Sequence, residues 1–307
     1  MKITIGIPCY NAARWLRQAI QSALDQRDVE TQVIVVDDGS TDDSPSIAKE
    51  FGSRITLVTG GRKGATHARN VVLQKAAGEW VQYLDADDYL EPGKVAGQLS
   101  ATRNGEDADV IYSPVWVETW TPEGSSRAPG EASPQADIYT QWIRWHIPQT
   151  GGALWRCAAL RHIEGWKEDQ PCCQEHELYL RALQEDLRFV FTPVPGAVYR
   201  IWNEDTLCRK DPLLVTRVRT KLMDAMLAWL AGANLQTEVH RQEVGRACFE
   251  MARTWARFDL PGAIAYHEER KRKGLIRLRG PAAPLAYRLT CALLGFKNAE
   301  RIARAMR

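Results

Sequence analysis

The chain has 307 residues, 45% of them hydrophobic and 25% charged, with a formal net charge of +2. That composition is ordinary for a globular protein and excludes a low-complexity or fibrous chain. No apolar run reaches the roughly 20 residues of a membrane-spanning helix. The charge is uneven, because residues 201–307 hold 20 Lys and Arg against 11 Asp and Glu. The first two-thirds is therefore acidic, and two different surfaces are expected.

Taken in order, the first hundred residues alternate strand and helix signals. Ile3–Pro8 is a short apolar run within MKITIGIPCYN, which reads as a first strand rather than a signal peptide. Ala12–Gln26 carries Trp15, Ala19, Ile20, Ala23 and Leu24 at helical spacing. Gln32–Val36 is a β-branched strand ending at Asp37 and Asp38, and Ser44 is placed to cap a helix with Pro45 at its first position. Arg54–Val58 predicts a third strand, Thr66–Ala77 a helix, and Trp80–Leu84 a fourth strand that stops at Asp85, Asp87 and Asp88. This βαβα order implies a mainly parallel, Rossmann-like sheet with helices on both faces. Ligands in such folds bind beyond the carboxyl ends of the strands.

Further along, Asp109–Trp120 is strand-like and Ile138–Trp145 helix-like, separated by a Pro-, Gly- and Ser-rich loop at 121–137 expected to be mobile. Residues 174–187 read as a helix, with Arg188–Thr192 and Gly196–Ile201 as short strands near the sheet edge. The remainder reads as helices at 213–231, 238–258 and 284–307. Seven cysteines, Cys9, Cys157, Cys172, Cys173, Cys208, Cys248 and Cys291, include no CxxC pair. Neither a zinc site nor a disulfide framework is suggested, and a reducing cytoplasm is the simplest setting.

Three stretches carry the chemistry. Asp85-Ala86-Asp87 places two acids at i and i+2, an arrangement suited to a hard divalent cation that completes its shell with phosphate oxygens. Asp37-Asp38-Gly39-Ser40 is either an Asx turn or a carboxylate contact for a base N–H or a ribose hydroxyl. Gly61–Asn70 is a glycine-containing loop opening a helix, with Arg62, Lys63 and Arg69 suited to a diphosphate.

In their order and wording, IPCYN, VIVVDDGSTDDS, GATHARN and GEWVQYLDADD resemble the family 2 glycosyltransferases of the GT-A fold. The resemblance implies that Pro8, Tyr10, Asp37 and Asp38 cradle the nucleotide. It implies that Arg69, Asp85, Ala86 and Asp87 meet the rest of a nucleotide-diphosphate sugar, with a UDP sugar the commonest donor. Asp87 would hold Mn²⁺ or Mg²⁺. The family also implies a general base at the start of a later helix. Aligning Gln174-Glu175-His176-Glu177-Leu178-Tyr179-Leu180-Arg181 by its Leu-x-Leu-Arg end puts Glu175 there, with His176 as the competing base.

The implied activity is inverting, metal-dependent transfer to an acceptor hydroxyl, in cell-surface or extracellular polysaccharide synthesis. The alternative is a non-catalytic sugar-nucleotide or glycan-binding protein on the same fold. A nucleotidyltransferase would call for a glycine- and cation-rich loop directly after the first strand, where Pro8-Cys9-Tyr10-Asn11 stands instead. Gly151, Gly152 and Trp166 are candidates for an acceptor site beside His176.

The expected organisation is a catalytic domain at 1–205, with a donor half at 1–95 and an acceptor half at 96–205, then a helical region at 206–307. In 284–307, Leu285, Leu289, Ala292, Leu293 and Phe296 share a face beside Arg288, Lys297, Arg301, Arg304 and Arg307. Two readings stay open for this helix: packing on the catalytic domain, or peripheral contact with the inner face of a membrane that carries a lipid-linked acceptor. No nucleic-acid-binding module is visible.

Overall fold

The structure, a computed structural model, describes residues 1–102, 107–130, 136–193, 195–202 and 211–306. Two compact units emerge: residues 1–135 with 146–204, and residues 136–145 with 205–307.

The first unit is built on a seven-stranded sheet. Its strands are β1 (Lys2–Cys9), β2 (Glu30–Asp37), β3 (Thr56–Thr59), β4 (Trp80–Tyr83), β6 (Val110–Tyr112), β9 (Ala153–Arg156) and β10 (Phe189–Phe191), in the order β10-β6-β9-β4-β1-β2-β3. All neighbours are parallel except at β9, which runs against both β4 and β6. Ile3, Ile5, Ile7, Ile34 and Val35 are completely buried, so β1 and β2 are covered on both faces, as their unbroken apolar runs imply. Each such side chain contributes about 1.5–3 kcal/mol by leaving water.

The helices α1 (Leu16–Leu24), α2 (Ser44–Lys49) and α3 (Ala65–Lys75) connect these strands. Gly6 lets α3 lie directly on β1, because a Cβ there would come within 2.3 Å of Val72 Cγ1. Chain order reverses at β1: β2 and β3 lie on one side of it, β4 on the other. The crevice at this switch point is where a ligand fits an open α/β sheet.

A second sheet, β5-β11-β7-β8, takes the strand expected at Gly196–Ile201 and part of the one expected at Asp109–Trp120, where the sequence pattern suggests a single sheet. It comprises β5 (Tyr89–Leu90), β7 (Val115–Thr121), β8 (Gly124–Pro129) and β11 (Ala197–Ile201). The segment 121–137, expected as a loop, thus holds a strand, while its residues 131–135 lie outside the described ones. The sequence GSSRAP is exposed throughout and has no apolar alternation. Its strand exists through backbone pairing with β7. The single run 109–120 divides into β6 and β7, which belong to different sheets.

Ser44 does not cap α2: it is the first helical residue, and its hydroxyl accepts the Ala12 N–H at 2.9 Å. The remaining helices of this unit are α4 (Lys94–Ser100), α6 (Cys157–His162) and α7 (Gln174–Gln184).

The second unit contains α5 (Ile138–Ile143), α8 (Pro212–Gly232), α9 (Glu238–Ala256), α10 (Leu260–Arg272) and α11 (Leu285–Ala305). Helix α5, expected in the acceptor half, belongs here. Arg144 pairs with Glu243 at 2.9 Å, and Asp137, its N-cap, meets His240 at 3.2 Å. Helix α10 escapes the sequence pattern because two of its inward positions, His267 and Arg270, are polar residue types and Leu-Pro-Gly at its start reads as a turn. Among the described residues, no helix is long and apolar enough to cross a membrane.

Candidate active site

The strand ends at the switch point bring the first two motifs together. Cys9 stands opposite Asp37, and Pro8 opposite Val36. Tyr10 follows with its ring exposed, and the Arg62 guanidinium lies 4.9 Å over that ring and donates to its hydroxyl. Asp37 is buried and its Oδ1 accepts the Ser40 N–H at 3.3 Å. Asp38, expected at the nucleotide, meets the loop that opens α3. Its two oxygens accept the backbone N–H groups of Lys63 and Gly64 at 2.8 and 2.7 Å, fixing the loop that opens α3. Asp38 shapes the cradle, and its carboxylate is already engaged.

The acid cluster follows β4. The Leu84 N–H still reaches the Gly6 carbonyl at 3.0 Å, and the chain then turns, with the Asp88 N–H donating to the Asp85 carbonyl. The three carboxylates have unequal surroundings. Asp85 is held by Arg69 Nη2 at 2.8 Å. Asp88 is buried and accepts the Arg200 backbone N–H at 2.8 Å. Asp87 accepts the Trp202 indole N–H at 3.0 Å. Burial first, and then the neighbouring Asp85, push the Asp87 carboxyl above the ordinary range, with the indole acting against them. Asp88 is pushed up further, again by burial first and then by Asp85 and Asp87.

Arg200 is the buried cation that makes this packing possible. It reaches the Asp87 carbonyl at 2.8 Å, Glu118 at 2.9 Å and Gln18 at 2.6 Å, and stacks on Trp15 and Tyr89. Neither Arg200 nor Trp202 stands out in the sequence; the only available signal is an Arg and a Trp at the exit of a short strand.

The donor set bears on a metal. Among the described residues, no three His, Cys, Asp or Glu side chains form a metal cage. With Asp85 paired to Arg69 and Asp88 tied to the backbone, Asp87 is the carboxylate suited to a cation. One carboxylate fits a hard divalent ion that takes its other oxygens from a diphosphate and water.

The opposite wall is α7. Glu175 sits in its first turn with its side chain 30% exposed, and its Oε1 accepts the Thr150 hydroxyl at 3.0 Å. His176 is buried at 7% exposure, so Glu175 is the more accessible of the two base candidates. Arg181 of the Leu-x-Leu-Arg end pairs with Glu177 at 2.7 Å and donates to the Gly165 carbonyl at 2.7 Å. That clamp holds the turn before Trp166.

One guanidinium joins the two walls. Arg69 donates to Asp85 at 2.8 Å and to Gln174 Oε1 at 3.3 Å, and lies 3.9 Å from Glu175 Oε1. Its side chain is only 5% exposed. Burial alone would lower its pKa, yet Asp85 and Glu175 outweigh that and hold it above the ordinary value. The expectation for Arg69 is a diphosphate contact; in the structure its guanidinium is engaged by Asp85 and Gln174 and lies near Glu175.

Trp166, expected at an acceptor site, is likewise engaged. At 4% exposure it lies under Arg69, 4.6 Å from the guanidinium, and edge-on to Tyr83, so it offers no open face to a sugar. Gly151 and Gly152 are buried. Gln82 donates to the Gly151 carbonyl at 3.0 Å, and a Cβ at Gly152 would meet the Ser113 carbonyl at 2.9 Å. Both glycines answer to packing.

The chain is similar to known glycosyltransferases in sequence and in fold. The family model described as glycosyl transferase family 2 matches residues 4–157. An uncharacterized glycosyltransferase of Rickettsia prowazekii is 34% identical over 109 residues, covering 36% of this chain and 34% of that one. The chain thus matches only about a third of that relative's length. Among solved structures, S. aureus TarS 1–349 in complex with UDP-GlcNAc aligns with a TM-score of 0.64 at 17% identity, over 100% of this chain and 93% of that one. The mannosyltransferase PcManGT from Pyrobaculum calidifontis, in complex with GDP-Man and Mn²⁺, aligns with a TM-score of 0.55 at 20% identity, over 99% and 83%. At these identities the two structures speak for the GT-A-type fold.

Proposed function

Because this chain belongs to glycosyl transferase family 2, we propose that it moves a sugar from a nucleoside-diphosphate sugar to an acceptor hydroxyl, with inversion at the anomeric carbon. The observation that carries this reading is Arg69, whose single guanidinium contacts the donor-side acid Asp85 and approaches the accessible base Glu175.

The nucleotide rests against Tyr10 and Asp37 at the ends of β1 and β2. Glu175 takes the proton of the acceptor hydroxyl as that oxygen attacks the anomeric carbon, and the nucleoside diphosphate leaves from the opposite side. Mn²⁺ or Mg²⁺ held at Asp87 would supply positive charge for the leaving diphosphate. Thr150 and Arg69 keep Glu175 oriented toward the site. The bound UDP-GlcNAc and GDP-Man of the two structural neighbours support a nucleotide-sugar donor, and a UDP sugar is proposed.

Half-buried Trp120 and Trp202 cluster around Trp15 beside the acid loop, with centroid distances of 5.0 and 6.0 Å. The Arg14 guanidinium lies over all three rings, and the aromatic surface left beside it favours a glycan acceptor, free or lipid-linked, in cell-surface or extracellular polysaccharide synthesis on the cytoplasmic side of a membrane.

The test is a thermal-shift panel of nucleotide sugars with Mn²⁺ or EDTA, followed by measurement of nucleoside diphosphate release. A ligand at 100 times its Kd adds about 2.7 kcal/mol to apparent stability. One nucleotide sugar should raise Tm only with the metal and should then release its diphosphate. Binding without release, across glycan acceptors, would favour the non-catalytic binding protein. No shift with any nucleotide sugar would overturn both readings.

A further inference from the structure

We propose that the outer face of α11 lies on an anionic lipid bilayer and that the cavity beside its kink receives the phosphate of one lipid headgroup. The proposal rests on the second unit alone and stands whether or not the first unit transfers sugar.

Leu285, Leu289 and Leu293 are spaced four residues apart and are 67%, 58% and 82% exposed. Leu294, Ile302 and Met306 are also exposed, the last two beyond Gly295. Tyr287, Phe296 and Ala299 face inward. The helix therefore packs on its own unit by one side and leaves a leucine stripe in water on the other. A contiguous exposed stripe of this kind marks an interaction surface.

The charges on the same helix name the partner. Its exposed charged residues, Arg288, Lys297, Arg301 and Arg304, are all basic. Its one carboxylate, Glu300, is completely buried against Arg253 at 2.7 Å and the Tyr287 hydroxyl at 2.7 Å. A leucine stripe on a helix whose exposed charges are all cationic complements an anionic headgroup layer.

The second observation is independent of the stripe. Gly295, at φ +75°, breaks the helix beside a cavity of about 500 Å³ lined by His267, Lys271, Ile276, Arg277 and Phe296. Lys271 is exposed, and Arg277 is half-buried. His267 is 6% exposed, stacks on Phe296 at 4.1 Å, and its Nε2 has no hydrogen-bond partner among the described residues. Burial and then Lys271 push His267 down to about 4, leaving a neutral ring at pH 7 that can donate from Nε2. Two cations, an orphaned imidazole nitrogen and an apolar floor suit a phosphate carried by a lipid.

The full chain would be floated with phosphatidylcholine vesicles, with and without phosphatidylglycerol. It should rise with the anionic vesicles at low salt and stay behind with the neutral ones. The combined Leu285→Glu, Leu289→Glu and Leu293→Glu variant should lose recovery at least about tenfold, with Tm and nucleotide-sugar binding unchanged. Lys271→Glu, at an exposed position, should lower recovery several-fold. Unchanged recovery of the leucine variant, or equal recovery from both vesicle types, would overturn the proposal. Unaltered flotation of Lys271→Glu would remove the headgroup site. Two further outcomes would also count against the bilayer: a Tm rise with inorganic phosphate and no flotation, which makes the cavity a small-anion site, or a dimer that the leucine variant abolishes.

Discussion

Arg69 donates to Asp85 and Gln174 and lies 3.9 Å from Glu175, a reach that suits a guanidinium fork. Lysine keeps the charge but lacks the fork that reaches Asp85 and Gln174 together. Arg69→Lys should therefore retain the fold and lower kcat at least about tenfold, with a smaller effect on donor affinity. Arg69→Ala leaves Asp85 without its partner, and because the Asp85 side chain is 30% exposed the cost should be about 1.5–3 kcal/mol of stability, measured by denaturant unfolding.

Asp88 gives a prediction of opposite sign. Its carboxyl is held well above 3.8, so the folded state binds a proton more tightly than the unfolded one. Stability from this group is thus lost as pH rises from 3.8 through the folded value. Asp88→Asn keeps an oxygen for the Arg200 N–H and removes the buried charge. In EDTA it should raise Tm at pH 7, and the gain should vanish below pH 3.8, where wild-type Asp88 is protonated in both states.

Among the elements, those with apolar periodicity are legible in the residues themselves. Strands β1, β2 and β4 and helices α3 and α7 lie where their patterns put them, to within a few residues. The exposed β8 and the polar-faced α10 are not legible in this way, because pairing and buried charges, rather than hydrophobic spacing, create them. The candidate site divides in the same way. Its acids and Glu175 stand in recognisable runs, whereas the partners that orient them come from distant chain positions. Arg200 meets the Asp87 carbonyl across 113 residues, and Trp202 meets Asp87 across 115. Sequence alone places no such pair in contact, and it also leaves Trp166 looking available when Arg69 covers it.

The contact between β1 and α3 can be tested at this scale. Gly6→Ala should destabilise by about 1–3 kcal/mol, through overpacking against Val72. Val72→Ala should remove most of that penalty in the double variant, a non-additivity expected of residues in contact. Additive losses would mean that the helix does not lie on Gly6.

For the molecule as a whole, the uneven charge of the chain corresponds to two units with different surfaces. The acidic one presents carboxylates at a strand-end crevice, and the basic one presents a cationic helix. In the first, the proposed reaction needs a metal-bound donor on the Asp87 side and a base on the Glu175 side of the same sugar. Single-turnover transfer by Glu175→Gln at saturating donor and Mn²⁺, with donor affinity measured in parallel, tests it most directly. Donor affinity should be unchanged and the transfer rate lower by about a hundredfold or more. An unchanged rate in Glu175→Gln, with the loss appearing in His176→Ala instead, would contradict the Glu175 assignment.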